Sequence, residues 1–197
     1  MVGNLTAVSS TGPEYAARLD RLSSTRWKRL IPNPYGWLVR RVATGRVLDV
    51  GCGIGRCLGF LDGRGVGIDP NEAAVALCRE RGYSAFTPEE FALADRGMFD
   101  TMLCAHVVEH LPADEASGLM QLYAPMVRPG GRVVLIVPQQ RGFRSDATHV
   151  RFVGATELSE LARESGLIVK SMRSFPLPRW AGRWFVYNET VLVARRP

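Results

Sequence analysis

Short apolar runs separated by segments of helical period set the plan of this chain. Val47, Leu48 and Val50 form a first strand broken by Asp49, and Gly51-Cys52-Gly53-Ile54-Gly55-Arg56 follows it. Closely spaced glycines permit a tight turn and a backbone approach that a Cβ would block, and the pattern predicts a helix start after them. Gly65-Val66-Gly67-Ile68 is a second run, tipped by Asp69, and Tyr83 to Phe86 is a brief third. Phe99 to Ala105 is a fourth, and Arg132 to Pro138 is an uninterrupted run of the kind buried on both faces of a parallel sheet. Leu167 to Met172 and Glu189 to Ala194 supply two more strands. Helical spacing predicts helices over 71–81, with Ala73, Ala74 and Leu77 inward and Gly82 as the stop, and over 114–127. A further helix is predicted from Thr156 as N-cap to Gly166, with Glu157 and Glu160 in its first turns. Ahead of the first strand, residues 1–12 carry no period, Tyr15, Leu19 and Leu22 suggest one helix, and Trp37, Leu38 and Val42 a second. The 176–184 link, with Trp180 and Trp184, is too irregular for core.

A length of 197 residues suits one domain, and 46% hydrophobic with 22% charged residues is ordinary for a globular protein. No apolar stretch approaches bilayer length, and Glu14, Arg18, Asp20, Arg21 and Arg26 interrupt the first thirty residues, so the expectation is a cytoplasmic protein without a membrane span. The net charge of +6 comes largely from arginines and a lysine near the two ends, without aromatic alternation. That describes a solvated basic surface, not a nucleic-acid site. Cys52, Cys57, Cys78 and Cys104 are scattered without a C-x-x-C pair, which points to reduced thiols and no metal.

A strand, a glycine turn and a second strand ending in a carboxylate make a nucleotide-cradling unit, in which Asp69 accepts hydrogen bonds from ribose hydroxyls. The spacing is G-x-G-x-G with Arg56 in the sixth position, not the dinucleotide fingerprint. Asp49 inside the strand would repel a pyrophosphate and attract an amino group, so an adenosine ligand with a cationic aminoacyl arm is indicated. The string resembles motif I of the class I S-adenosylmethionine-dependent methyltransferases, and Asp69, the 99–111 segment and the 127–136 segment match later family motifs in order. Over residues 45–197 the resemblance implies an α/β fold with a doubly wound, mostly parallel seven-stranded sheet, helices on both faces and a C-terminal antiparallel strand. It implies S-adenosylmethionine held by Asp49, Gly51, Cys52, Gly53, Asp69, Thr87, Ala105 and His106, with Thr87 where an aspartate commonly meets the adenine amino group. Residues 1–44 are then a tail and helical lid, with Trp27 and Tyr35 as substrate contacts.

Methyl transfer to a hydroxyl needs alignment and a base, and the chain has three histidines, His106, His110 and His149, all expected just after carboxyl ends of strands. His106-Val107-Val108-Glu109-His110 has the inverted zinc-protease spacing, but it leaves a strand and meets Pro112, so it lacks the helix that such a motif requires. It resembles the E-H-L strand exit of small-molecule methyltransferases. It is also similar to an E-x-x-E-H segment that holds magnesium in some quinol O-methyltransferases, with His106 replacing the first glutamate and weakening an oxygen-rich site. A divalent metal is therefore an option and not the favoured one. Asp146-Ala147-Thr148-His149-Val150-Arg151-Phe152 resembles a segment of bacterial sugar and polysaccharide O-methyltransferases. On that resemblance His149 is the base, Asp146 orients it, and Gln140, Arg144 and Arg151 bind sugar hydroxyls. Asn33-Pro34-Tyr35 lacks one proline of the base-flipping N-P-P-Y motif and precedes motif I, so it reads as a turn.

The expected activity is O-methylation of a saccharide or glycan precursor. A quinol or other aromatic acceptor with metal assistance through Glu109 and His110 is the second reading, and a non-catalytic cofactor-binding protein the third. The partners expected are a small-molecule or oligosaccharide acceptor and, as an option, a second copy of the chain, with no nucleic acid; the tryptophans and arginines of the 176–184 link are candidates either to line an acceptor pocket or to form an intersubunit surface.

Overall fold

The apolar runs become neighbouring strands of one sheet. In the computed structural model, which describes residues 33–93 and 96–197, these are β1 (Val47–Val50), β2 (Gly65–Ile68), β3 (Ser84–Phe86), β4 (Phe99–Ala105), β5 (Val127–Pro138), β6 (Ile168–Phe175) and β7 (Glu189–Arg195). Their order is β3-β2-β1-β4-β5-β7-β6, with β7 antiparallel to both its neighbours and the other pairs parallel. This is the expected doubly wound sheet. Its order reverses at β1, where a crevice forms beyond the carboxyl ends of β1 and β4. Because β7 runs backwards, Glu189 at its start pairs with Pro138 at the end of β5 and so reaches the same edge.

Helices α1 (Pro34–Val42), α2 (Glu72–Glu80), α3 (Pro88–Ala92), α4 (Ala113–Tyr123), α5 (Gln140–Phe143) and α6 (Ala155–Glu164) complete the described fold. One core cluster holds Leu48, Phe99, Met102, Leu135, Leu158 and Leu192, and a second holds Leu38, Val39, Val47, Leu61, Leu103 and Ile136. Each fully buried side chain of this size stabilises the fold by ~1.5–3 kcal/mol relative to exposure. Residues 34–43 therefore belong to the body of the domain and are not a cover over it, since Leu38, Val39, Val42 and Ala43 share the core with β1. Trp37 faces outward and stacks on Phe175 at 6.1 Å. Trp27 and the rest of the proposed lid before residue 33 lie outside the described residues. Among the described residues no helix is long and apolar enough to cross a membrane.

Three local expectations change. The helix after the glycine turn is only a 3-10 turn at Leu58–Phe60, because Gly55, Gly59 and Gly63 divide the short path back to β2. The buried face of α2 is Ala74, Val75 and Cys78, one step round from the predicted Ala73 and Leu77, and Asn71 caps it by accepting from the Ala73 and Ala74 amides. Helix α6 is capped by Gly154, not Thr156, with the Glu157 carboxylate reaching back to the Gly154 N–H at 2.8 Å.

Candidate functional site

Gly51, Gly53 and Gly55 all adopt positive φ (75°, 50° and 82°), which lets the chain leave β1 and fold over its end. The Gly51 and Cys52 amides donate to the Ile68 carbonyl at 2.8 and 3.0 Å, tying this loop to the end of β2. Asp69 finishes the tie: one carboxylate oxygen accepts from Gly53 N at 2.7 Å and the other from Asn71 N at 2.9 Å. Burial raises the Asp69 pKa, and the two amide bonds oppose that rise. Asp49 lies beneath the loop, 1% exposed, with Oδ2 unpartnered. Burial first, and the Asp69 carboxylate second, push its pKa up to about 7. A buried carboxylate in that state favours a ligand that brings a positive charge.

Ala105 ends β4 half-buried, and His106 follows in the left-handed region at φ 60°, a conformation disfavoured for a non-glycine residue. Its ring is held from both sides: Nε2 lies 3.0 Å from Glu189 Oε1, and Nδ1 lies 3.3 Å from Glu109 Oε1 as an ion-pair contact without hydrogen-bond alignment. Burial alone would lower its pKa, but the Glu189 and Glu109 carboxylates outweigh that and carry it to about 10. Both ring nitrogens of His106 therefore face carboxylates, an arrangement that favours the charged ring and ties it to Glu189 and Glu109. Glu189, which the sequence reading passed over, supplies the counter-charge; a lone acid opening an apolar strand was its only signal.

His110 and His149 stand together with ring centroids 4.7 Å apart. His110 Nδ1 is 3.0 Å from the Thr148 carbonyl and His149 Nδ1 is 2.7 Å from the Phe143 carbonyl. A carbonyl can only accept, so each Nδ1 is a donor, and the tautomer that this selects has its lone pair on Nε2. The expected role of Asp146 is corrected here. Its carboxylate accepts from the Thr148 amide at 3.0 Å and hydroxyl at 2.8 Å, fastening its own turn, while the Phe143 carbonyl orients His149. The His149 ring also stacks on Phe143, which meets Phe152 edge-on, so aromatic surface borders the histidine pair.

The other expected residues fall into separate environments. Thr87 is the N-cap of α3, its hydroxyl accepting from the Glu90 amide in a capping box. Tyr35 is buried, with its hydroxyl against Cys57 Sγ and Arg56 over its ring at 4.3 Å, so it forms wall and not an exposed acceptor contact. Gln140 and Arg144 are exposed, whereas Arg151 keeps a buried Nε without a partner. The neighbouring Gln139, buried and unpredicted, bridges Ser174, the Glu189 carbonyl and Asn188 and so braces the start of β7. A shallow groove of about 440 Å³ along α2 and α3 shares only Thr87 with these residues.

The oxygen-rich magnesium set suggested by the E-x-x-E-H likeness does not fit. His106 occupies the first glutamate position and both its nitrogens face carboxylates. What remains is one carboxylate and two imidazoles: Glu109, His110 and His149 each offer a donor atom within 4.8 Å of the others.

A family profile described as "Methyltransferase domain" matches residues 14–171. A ubiquinone biosynthesis O-methyltransferase of Alkalilimnicola ehrlichii is 33% identical over 65% of this chain and 62% of its own length, so that match spans about three fifths of the relative. Another of the same name from Pseudomonas aeruginosa is 30% identical over 79% of this chain and 83% of its own. Among solved structures, a SAM-dependent methyltransferase from Archaeoglobus fulgidus superposes with a TM-score of 0.65 at 19% identity, covering 94% of this chain and 95% of that one.

Proposed function

The chain belongs to the methyltransferase-domain family as a class I S-adenosylmethionine-dependent methyltransferase, and from that premise we propose that it methylates a phenolic hydroxyl of a quinol-type acceptor. The cofactor supplies an electrophilic methyl group on a sulfonium. In this reading Asp69 receives the ribose hydroxyls, and Asp49 attracts the aminoacyl end beneath Gly51, Cys52 and Gly53. Ala105 and His106 line the β4 exit, and Thr87 borders the adenine side.

The observation that carries the acceptor class is the His110–His149 pair, with both Nδ1 atoms fixed by carbonyls and both Nε2 lone pairs left over. A phenol, with a pKa of ~10, is acidic enough for nearby imidazole nitrogens to stabilise its ionisation, whereas a saccharide alcohol is a far weaker acid. Phe143 and Phe152 beside His149 suit a flat ring. The relatives' names speak of ubiquinone biosynthesis and none of those quoted speaks of a saccharide.

The test is formation of S-adenosylhomocysteine and of a methylated product, read by mass spectrometry, with alkyl catechols and hydroxyquinols in one arm and mono- and oligosaccharides in the other. Methylation of the catechols alone is expected. Methylation of saccharides alone would restore the sugar reading, and silence in both arms despite cofactor binding would support a non-catalytic role.

A further inference from the structure

We infer that Cys52 and Cys78 form a redox-modification site: a hydroperoxide joins them in a disulfide that draws the glycine loop off Asp69 and weakens its hold on S-adenosylmethionine. The consequence for the cofactor rests on the reading of the loop under the proposed function, whereas the site itself stands on geometry. All four cysteines are free thiols, and two of them meet although they are far apart in sequence. The Cys78 thiol donates to the Gly53 carbonyl at 3.2 Å, and Cys52 Sγ lies 3.7 Å from the same oxygen. The Cys52 thiol in turn donates to the Cys78 sulfur, which holds the Cys78 thiol below its usual range against the opposing effect of burial. At Cys57 and Cys104, by contrast, burial pushes the thiol up. Cys78 is therefore the favoured nucleophile among them.

The two sulfurs have unequal supports. Cys78 lies on the buried face of α2 with Ala74 and Val75, whereas Cys52 stands between Gly51 and Gly53, at φ 75° and 50°. Gly67 leaves room for the Cys52 sulfur, since a Cβ there would stand 2.6 Å from Sγ. A disulfide holds its sulfurs at ~2.05 Å, inside any thiol hydrogen bond, so closure moves the glycine loop and not the helix. Gly53 moves with Cys52, and its amide is the one held by Asp69 at 2.7 Å. With hydrogen peroxide as oxidant, the deprotonated Cys78 sulfur attacks one peroxide oxygen, the O–O bond breaks, and the released hydroxide takes up the thiol proton as water. The Cys52 sulfur then attacks the resulting sulfenic sulfur, the S–S bond forms, the S–O bond breaks, and the Cys52 proton leaves with the hydroxyl as a second water. The thiols are oxidised to a disulfide and the peroxide is reduced to water. Cys52 and Cys78 are buried, so oxidant enters only as the loop opens. Bound cofactor favours the closed loop and protects the pair.

The test exposes the reduced full chain to hydrogen peroxide, quenches with catalase, alkylates the remaining thiols under denaturing conditions and maps the peptides by mass spectrometry. One disulfide, from Cys52 to Cys78, is expected, with Cys57 and Cys104 alkylated. Calorimetry should show S-adenosylmethionine affinity at least ~10-fold weaker after oxidation and recovered with dithiothreitol. Saturating S-adenosylmethionine should slow the cross-link at least ~10-fold. Cys78→Ser, which keeps a donor for the Gly53 carbonyl, should bind S-adenosylmethionine like the reduced wild type and ignore peroxide. The wild-type map and its reversal decide the matter without any variant. Absence of the Cys52–Cys78 bond, a bond to Cys57 or Cys104 in its place, unchanged affinity in the cross-linked protein, or a loss that dithiothreitol fails to reverse would overturn the site. Failure of the reduced chain to take up S-adenosylmethionine would overturn the consequence for the cofactor, while the cross-link is still read by mass. None of these readouts uses an acceptor, so a failed redox site and a failed quinol assignment give different results.

Discussion

His106 Nε2 lies 3.0 Å from Glu189 Oε1, joining the exit of β4 to the first residue of β7 across 83 positions of sequence. The bond places a positive charge between two largely buried carboxylates, and the second oxygen of Glu189 has no partner of its own. Glu189→Gln is therefore expected to destabilise the protein by ~1.5–3 kcal/mol, the range for a hydrogen bond to a charged group. Urea unfolding at neutral pH measures this, and a double variant with His106→Gln should lose less than the sum of the single changes. Additive losses would mean that the two side chains do not stabilise each other.

What the sequence made legible was local. The glycine turn between β1 and β2 announces itself within a few residues, because only glycine takes up positive φ at little cost, and the alternation of runs and helices fixes a doubly wound sheet. The His106–Glu189 bond was invisible for the opposite reason: it depends on β7 returning antiparallel beside β5, a long-range pairing that no local pattern encodes. Asp146 misled because proximity in sequence to His149 suggested contact, whereas a short carboxylate bonds more readily to the amide two residues on, here Thr148. Thr156 misled similarly, since a good capping residue type stood two places inside a helix that Gly154 and Glu157 already capped.

Asp49 gives a pH dependence with a definite sign. Its carboxyl is raised to about 7 by burial and then by Asp69, so the folded state without ligand holds a proton that the unfolded chain has released. The stability this lends is fully present below the unfolded value of ~3.9 and is lost as pH rises through the folded value, by at most ~4 kcal/mol. Asp49→Asn should flatten the fall in unfolding free energy between pH ~4 and ~8, followed by urea titration. The same variant should bind S-adenosylmethionine more weakly above neutrality. A pH profile unchanged by the substitution would remove Asp49 as its source.

Gly51 is the position where the loop tolerates least. An added Cβ would stand 2.3 Å from Val107 Cγ2, and the backbone is at φ 75°. Gly51→Ala is expected to cost at least ~1–2 kcal/mol from the left-handed conformation alone, with further loss from the clash. Adding Val107→Ala should recover only the clash. Full recovery by the second change, measured by thermal unfolding, would show that the backbone is not strained there.

Asp69 has two duties that a pair of substitutions separates. Its oxygens hold the Gly53 and Asn71 amides, and the proposed function adds the ribose hydroxyls. Asp69→Ala removes every acceptor and should weaken S-adenosylmethionine binding by ~10–100-fold, equivalent to ~1.4–2.8 kcal/mol, while speeding hydrogen exchange at the Gly53 amide. Asp69→Asn keeps one acceptor oxygen and replaces the other with an amide donor. It can therefore preserve the Asn71 turn or the Gly53 tie but not both, and it should fall between wild type and Asp69→Ala in both calorimetry and exchange. If cofactor affinity stayed within about twofold of wild type, a difference below ~0.5 kcal/mol, while Gly53 exchange rose, the carboxylate would be a loop clamp alone and the ribose contact would have to be sought elsewhere along the β2 edge.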